Sequence, residues 1–125
     1  MQLVNMTARE IAGLRWTVRP EPLLAPPRPS PVIADPTFLP AGQTPGGDWR
    51  MWAHSLLGLH AYRSEDGLTW ERIGTVSRNA LRGHVLDTGG SPRYRLSYEK
   101  TRLFLPIGLP WSSWIESRRS DDLRH

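Results

Sequence analysis

Residues 62–70 read YRSEDGLTW, a pattern that combines strand-forming residues with turn-forming ones. It predicts the end of one β-strand, a tight turn and the beginning of a second strand. Gly67 supplies the positive φ angle that such a turn needs. The stretch is therefore interpreted as a β-hairpin, and the rest of the chain shows whether it is a lone turn or one unit of a repeat.

A related turn occurs 56 residues later in the chain. Residues 119–125 read RSDDLRH, and their alignment with the first turn matches Ser64 with Ser120 and Asp66 with Asp122. A spacing of this size is typical of architectures built from repeated four-stranded units. In this alignment the chain ends before the fourth strand of the second unit, which is therefore expected to be incomplete.

The segments between the turns favour short antiparallel strands. Gly- and Pro-containing clusters at residues 41–48 and 87–92 separate them. Leu57, Leu59 and Ala61 alternate with Gly, His and Tyr, which is the period of a β-strand. The predicted strands cover residues 31–39, 49–55, 57–64 and 68–76 in the first unit and residues 80–86, 93–99 and 114–120 in the second.

Four short antiparallel strands joined by tight turns make the blade of a β-propeller. The chain is accordingly predicted to be all-β, as a partial propeller of about two antiparallel four-stranded meanders. Residues 1–31 are assigned to an N-terminal arm, residues 32–78 to the first blade and residues 79–125 to a second, incomplete blade, together in one domain.

The arm combines a short helical turn with an extended, Pro-rich segment. Thr7 is placed to cap the helical turn, and six Pro residues follow between residues 19 and 31. Two interpretations stay open for this segment: a linker to a partner, or a surface arm held down by Leu23 and Leu24.

Composition limits the classes of function. The net charge is +4, but the Arg residues that supply it are dispersed along the chain, so no nucleic-acid partner is predicted. The chain has no Cys, and its four His residues lack a close metal-ligand spacing, so no metal or other cofactor is predicted. Neither a secretory signal nor an apolar run of about 18 residues is present, which favours a cytoplasmic protein without a membrane partner.

Three motifs resemble one family of enzymes. ADPTFLP at residues 34–40 resembles the Asp-Pro motif of the first blade in five-bladed propeller glycosidases, the relatives of arabinanases, β-xylosidases, invertases and levansucrases. WRMWAHS at residues 49–55 resembles the strand that follows there, and SEDGLTW at residues 64–70 resembles the hairpin between their third and fourth strands. The resemblance covers residues 20–125, which correspond to the N-terminal two blades of such a propeller.

The resemblance implies a sugar site. In this family an Asp at the position of Asp35 is the base or nucleophile, and a Glu from the third blade is the acid that protonates the leaving oxygen. Only the first of these carboxylates is identified here, so the chain is expected to be inactive alone, and whether it is an enzyme stays open. Glu99, Trp52, Trp111 and Trp114 are further candidates for contact with a saccharide, through hydrogen bonds or ring stacking.

Asp35 and Trp52 also have structural interpretations, whereas Trp111 and Trp114 are the better candidates for exposed contact. Asp35 followed by Pro36 is a common way to begin a strand, and Trp52 is placed to pack between strands. Two functions therefore remain: a carbohydrate-binding or glycoside hydrolase-like propeller fragment, and a non-enzymatic module that self-associates through its blades. The lack of an identifiable acid favours the second for the isolated chain. The expected open edge at residues 114–120 and the apolar outer faces of two unaccompanied blades predict a homo-oligomer.

Overall fold

The structure, a computed structural model, describes residues 7–102 and 112–124. These residues form two antiparallel sheets, one with the strand order β1-β2-β3-β4 and one with the order β5-β6-β7. The all-β prediction is confirmed, because the described helices are one short α-helix and one 3₁₀ turn at Ala41–Gln43. The elements are α1 (Ala8–Ala12), β1 (Ile33–Leu39), β2 (Trp49–Ser55), β3 (Gly58–Ser64), β4 (Glu71–Ser77), β5 (Ala80–Asp87), β6 (Tyr94–Thr101) and β7 (Ser113–Ser120).

Side-chain hydrogen bonds fix the turn between β3 and β4. The backbone N–H groups of Thr69 and Leu68 donate to Asp66 Oδ1 at 2.7 and 2.8 Å, and the N–H of Gly67 donates to Ser64 Oγ at 2.8 Å. The bonds from Thr69, Leu68 and Ser64 favour the ionised carboxylate and lower the pKa of Asp66 to about 2. Gly67 has a φ of 75°, as the sequence predicts for this turn.

The turn after β7 is built in the same way. The N–H of Leu123 donates to Ser120 Oγ and the N–H of Arg124 donates to Asp122 Oδ1, both at 2.9 Å. Leu123 takes the position of Gly67 and has a φ of 62°. The alignment of the two turns from their Ser and Asp residues is therefore confirmed in three dimensions.

The two sheets also repeat their strand register. In each sheet the first strand carries one extra residue relative to the second strand, at the same place in the ladder. Such an insertion is a β-bulge. The equivalent pairs are Leu39–Arg50 with Leu86–Arg95, Phe38–Met51 with Val85–Leu96, Thr37–Trp52 with His84–Ser97, and Ala34–His54 with Leu81–Glu99.

The main core lies between the two sheets. Trp52 and Leu59 of the first sheet pack with Val85 and Tyr98 of the second, and all four are buried. β5 approaches β3 closely because it carries Gly83 at the contact, where an added Cβ would lie 3.1 Å from Leu59 Cδ1. The face of the first sheet that points away from β5 carries a second, smaller cluster.

The N-terminal arm lies against that second cluster. Its helix α1 begins at the predicted cap, since the N–H of Glu10 donates to Thr7 Oγ1 and the Glu10 carboxylate accepts from the N–H of Thr7. Farther along the arm, Leu24 packs beside Met51 and Tyr62 on the outward face of the first sheet. No helix among the described residues has the length and apolar character needed to cross a bilayer.

Candidate functional site

The candidate site forms around the two bulges. Asp35 in β1 and Arg82 in β5 occupy equivalent positions, and both have positive φ angles, of 49° and 50°. Besides Gly, Asn and Asp adopt this conformation most readily, whereas for a residue such as Arg82 it costs about 1–2 kcal/mol. The strands opposite the bulges contribute His54 and Glu99, again at equivalent positions.

Packing of β1 against β5 brings these four side chains together. The Asp35 carboxylate lies 3.7 Å from His54 Nδ1 and 3.9 Å from Arg82 Nε, and Arg82 Nη1 lies 2.9 Å from Glu99 Oε2. Asp35 and Arg82 are exposed, whereas the side chains of His54 and Glu99 are largely buried. The site therefore presents one carboxylate and one guanidinium to solvent, above two partly covered polar groups.

A backbone contact sets the protonation of His54. The N–H of Arg82 donates to His54 Nδ1 at 3.3 Å, so this nitrogen is an acceptor and the ring proton lies on Nε2. Burial lowers the pKa of His54; the Asp35 carboxylate opposes this shift, and the Arg82 guanidinium adds to it. The imidazole is therefore neutral near pH 7 and adds no charge to the site.

These groups suit a neutral, hydroxyl-rich ligand. Carboxylates accept hydrogen bonds and a guanidinium donates them in a fixed fork, so Asp35 and Arg82 together complement adjacent hydroxyl groups. With His54 neutral, the two carboxylates and the one guanidinium leave the group with a formal charge of −1, which disfavours an anionic ligand. Within residues 7–102 and 112–124, no cluster of three or more His, Asp or Glu side chains is placed to hold a metal ion.

The other predicted contact residues lie in different surroundings. Trp52 is buried in the core between the sheets, which is the packing role that its strand position also predicts. Trp114 lies opposite Lys100, while Glu99 lies opposite Ile115, so Trp114 and Glu99 point to different faces of the second sheet. The Trp114 Nε1 donates to Glu116 Oε1 at 3.1 Å.

Trp111 lies outside the described residues. Of the residues proposed from the sequence, the structure thus brings together Asp35 and Glu99, with Arg82 between them.

Sequence reasoning missed His54 and Arg82 as members of this site. A signal for Arg82 was present, because alignment of the two repeated units places it where the first unit has Asp35. No comparable signal exists for His54. Its partnership with Arg82 depends on how one sheet packs against the other.

A second polar group resembles a catalytic arrangement but is closed to solvent. Ser55 Oγ lies 2.7 Å from His60 Nε2, and the other ring nitrogen lies 3.0 Å from Thr75 Oγ1. Both Ser55 and His60 are buried, and the third member is a hydroxyl rather than a carboxylate. This arrangement satisfies polar groups inside the first sheet, and a substrate has no access to it.

Comparison of the chain with family models, with curated proteins and with solved structures gave no match to any of them.

Proposed function

We propose that the chain is a carbohydrate-binding fragment of β-propeller type, with its saccharide site at Asp35, His54, Arg82 and Glu99. The observation that carries the proposal is the convergence of these side chains at the bulged first strands of two repeated sheets. The repeated turn and register support the interpretation of the sheets as blades. The resemblance of ADPTFLP to the first-blade motif of propeller glycosidases supports a sugar as the ligand.

Binding rather than hydrolysis is proposed. Glycoside hydrolysis needs one carboxyl group that donates a proton and a second that works ionised. The second carboxyl group of this site, Glu99, accepts a hydrogen bond from Arg82 Nη1 at 2.9 Å, so its Oε2 is already engaged by a donor. A group in this environment is poorly suited to act as the general acid.

Calorimetric titration with saccharides tests the proposal. Neutral pentose and fructose oligosaccharides should give binding heat with the wild-type chain and none with Asp35→Asn. Glu65→Gln is a matched control, since it removes an exposed carboxylate in the turn after β3 and should leave the heat unchanged. Absence of binding by every sugar, or equal heats for wild type and Asp35→Asn, contradicts the site. Aryl glycosides should not be hydrolysed.

A second function, a module that self-associates, is favoured by a different observation. Among the described residues, β7 pairs with β6 alone, whereas β3 in the first sheet pairs with strands on both sides. An unpaired edge and apolar outer faces are surfaces that soluble proteins usually cover. Light scattering at micromolar concentrations should then give a mass above that of the monomer.

A further inference from the structure

The two sheets contact each other through faces that are not equivalent. The first sheet contributes Leu39 and Leu59 to the contact, and both are buried there. Their equivalents in the second sheet are Leu86 and Ile115, which lie on the face that points away from the first sheet. Ile115 is 71 % exposed, whereas Leu59 is 0 % exposed. The second sheet therefore repeats, on its outward face, apolar positions that the first sheet uses for packing.

The converse holds for the first sheet. Val85 and Leu96 of the second sheet are buried in the contact, and their equivalents, Phe38 and Met51, lie on the outward face of the first sheet. Phe38 is 57 % exposed, whereas Val85 is 7 % exposed. The outward face of the first sheet thus repeats the apolar pattern that the second sheet uses in the contact. The outward face of the second sheet repeats the pattern of the first only at Leu86 and Ile115, because Ser97 stands where the first sheet has Trp52.

The outward face of the first sheet also carries a groove. Its volume is about 370 Å³, and it is lined by Pro36, Phe38, Trp49, Met51 and Trp70, with Leu23 and Leu24 of the arm at one side. These are apolar groups. A groove of this composition gains free energy when an apolar side chain displaces water from it.

A specific contact in the internal interface shows how the groove would be filled. Inside the molecule Leu59 packs on Gly83 of β5. The equivalent of Leu59 is Ile115, and the equivalent of Gly83 is Pro36. If sheet-on-sheet packing of this kind is repeated between molecules, Ile115 of one copy lies beside Pro36 in the groove of the next, at a wider spacing because Pro36 carries the side-chain atoms that Gly83 lacks.

We propose that the chain associates head to tail with a second copy of itself, the outward face of the second sheet of one copy packing on the outward face of the first sheet of the other. The proposal rests on the self-associating function and specifies its surfaces. Such a contact joins two different patches, so it is heterologous and leaves one face of each kind available at the ends of a dimer.

Two variants and their mixture test the proposal. Phe38→Asp places a charge on the outward face of the first sheet, and Ile115→Asp places one on the outward face of the second; both side chains are exposed, so the fold should be retained. Burying the new carboxylate in an apolar contact should weaken association by at least about 100-fold. Each variant alone should therefore be monomeric by light scattering.

The mixture tests whether the two different faces bind each other. In Phe38→Asp the outward face of the second sheet is unaltered, and in Ile115→Asp the outward face of the first sheet is unaltered. These two intact faces can bind each other, so an equimolar mixture should form a dimer with one copy of each variant and grow no further. Val18→Asp, in the exposed arm, is the matched control and should assemble like the wild type. If circular dichroism shows that an Asp variant is unfolded, Phe38→Ser and Ile115→Ser replace the pair.

Four results overturn the proposal, and they differ in meaning. If the wild-type chain stays monomeric at protein concentrations up to about 100 μM, the hypothesis of self-association is rejected. Wild-type assembly that neither variant weakens keeps self-association but rejects these faces. Dissociation of only one variant shows a symmetric contact through the face that this variant changes, and a mixture of two monomeric variants that stays monomeric likewise rejects the head-to-tail contact.

Discussion

At the scale of single residues, His60 is an ionisable group that is buried in the first sheet among uncharged hydrogen-bond partners. Its two ring nitrogens contact the hydroxyls of Ser55 and Thr75, and neither partner carries a charge. Burial lowers the pKa of His60, and the Arg72 guanidinium lowers it further. The folded protein therefore favours the neutral imidazole more strongly than the unfolded chain does.

Stability should consequently fall as the pH is lowered through the histidine range. The pKa of His60 in the folded protein lies below its value near 6.5 in the unfolded chain. At pH values between these two pKa values, the unfolded chain therefore binds more protons than the folded protein does. The stabilisation is present above about pH 6.5 and is lost as the pH falls toward the folded-state pKa. Each such histidine contributes a slope of at most about 1.4 kcal/mol per pH unit, measurable by urea unfolding between pH 7.5 and about 5.

His60→Gln should reduce this slope and leave the remaining part to His54, whose pKa is lowered as well. His84→Gln, at an exposed position, provides the control and should keep the wild-type slope. An unchanged slope in His60→Gln contradicts the assignment of the pH dependence to this buried ring.

At the scale of elements, the bulges in β1 and β5 hold residues other than Gly in the left-handed region. At Arg82, two substitutions separate the effect of losing the guanidinium on stability from the effect of the strained backbone conformation. Arg82→Ala and Arg82→Gly both remove the pairing with Glu99, but Gly adopts a φ of 50° without steric cost. Arg82→Gly should therefore be more stable than Arg82→Ala by about 0.5–1 kcal/mol in urea unfolding. A more stable Ala variant would show that the bulge relaxes out of this conformation.

The sequence correctly predicted those elements that are determined by interactions between residues close together in the chain. β2 was predicted with the bounds that the structure shows, and the turn at Ser64, Asp66 and Gly67 was recognised from its own side chains. The prediction that the fourth strand begins at Leu68 was wrong, because the N–H groups of Leu68 and Thr69 are bound by Asp66 and β4 starts at Glu71. Leu57 also lies in a turn rather than in β3.

The bulges and the candidate site could be predicted only in part from the sequence. Asp35 and Glu99 were named in advance, but nothing in the local sequence around Arg82 indicates a positive φ, since neither Gly nor Asn stands there. The contact of Arg82 with His54 joins residues from different sheets. It depends on tertiary packing, which residue spacing alone does not determine.

At the scale of the whole molecule, one core joins the two sheets, and Leu59 lies at its centre with no exposed surface. Leu59→Ala should lower the free energy of unfolding by about 2–5 kcal/mol, because it removes packed atoms and leaves a cavity beside Gly83. Since both sheets share this core, amide hydrogen exchange should increase in β2 and in β6 together.

Ile73→Ala is the matched control for this prediction. Ile73 is a half-exposed apolar residue of the edge strand β4, so its truncation should cost about 1 kcal/mol or less. Faster exchange in one sheet alone for Leu59→Ala contradicts the view that the sheets unfold as a unit.

The opposite charges at the two equivalent bulges have a consequence for any larger assembly. Asp35 and Arg82 neighbour each other because one packing step separates their sheets. If that step is repeated from copy to copy, negative and positive bulge residues alternate along one rim, each flanked by the other sign. Such a rim is an alternating ionic row, screened by salt over about 8 Å at physiological ionic strength. Its cohesion, unlike that of the apolar faces beneath it, should then weaken as salt is added.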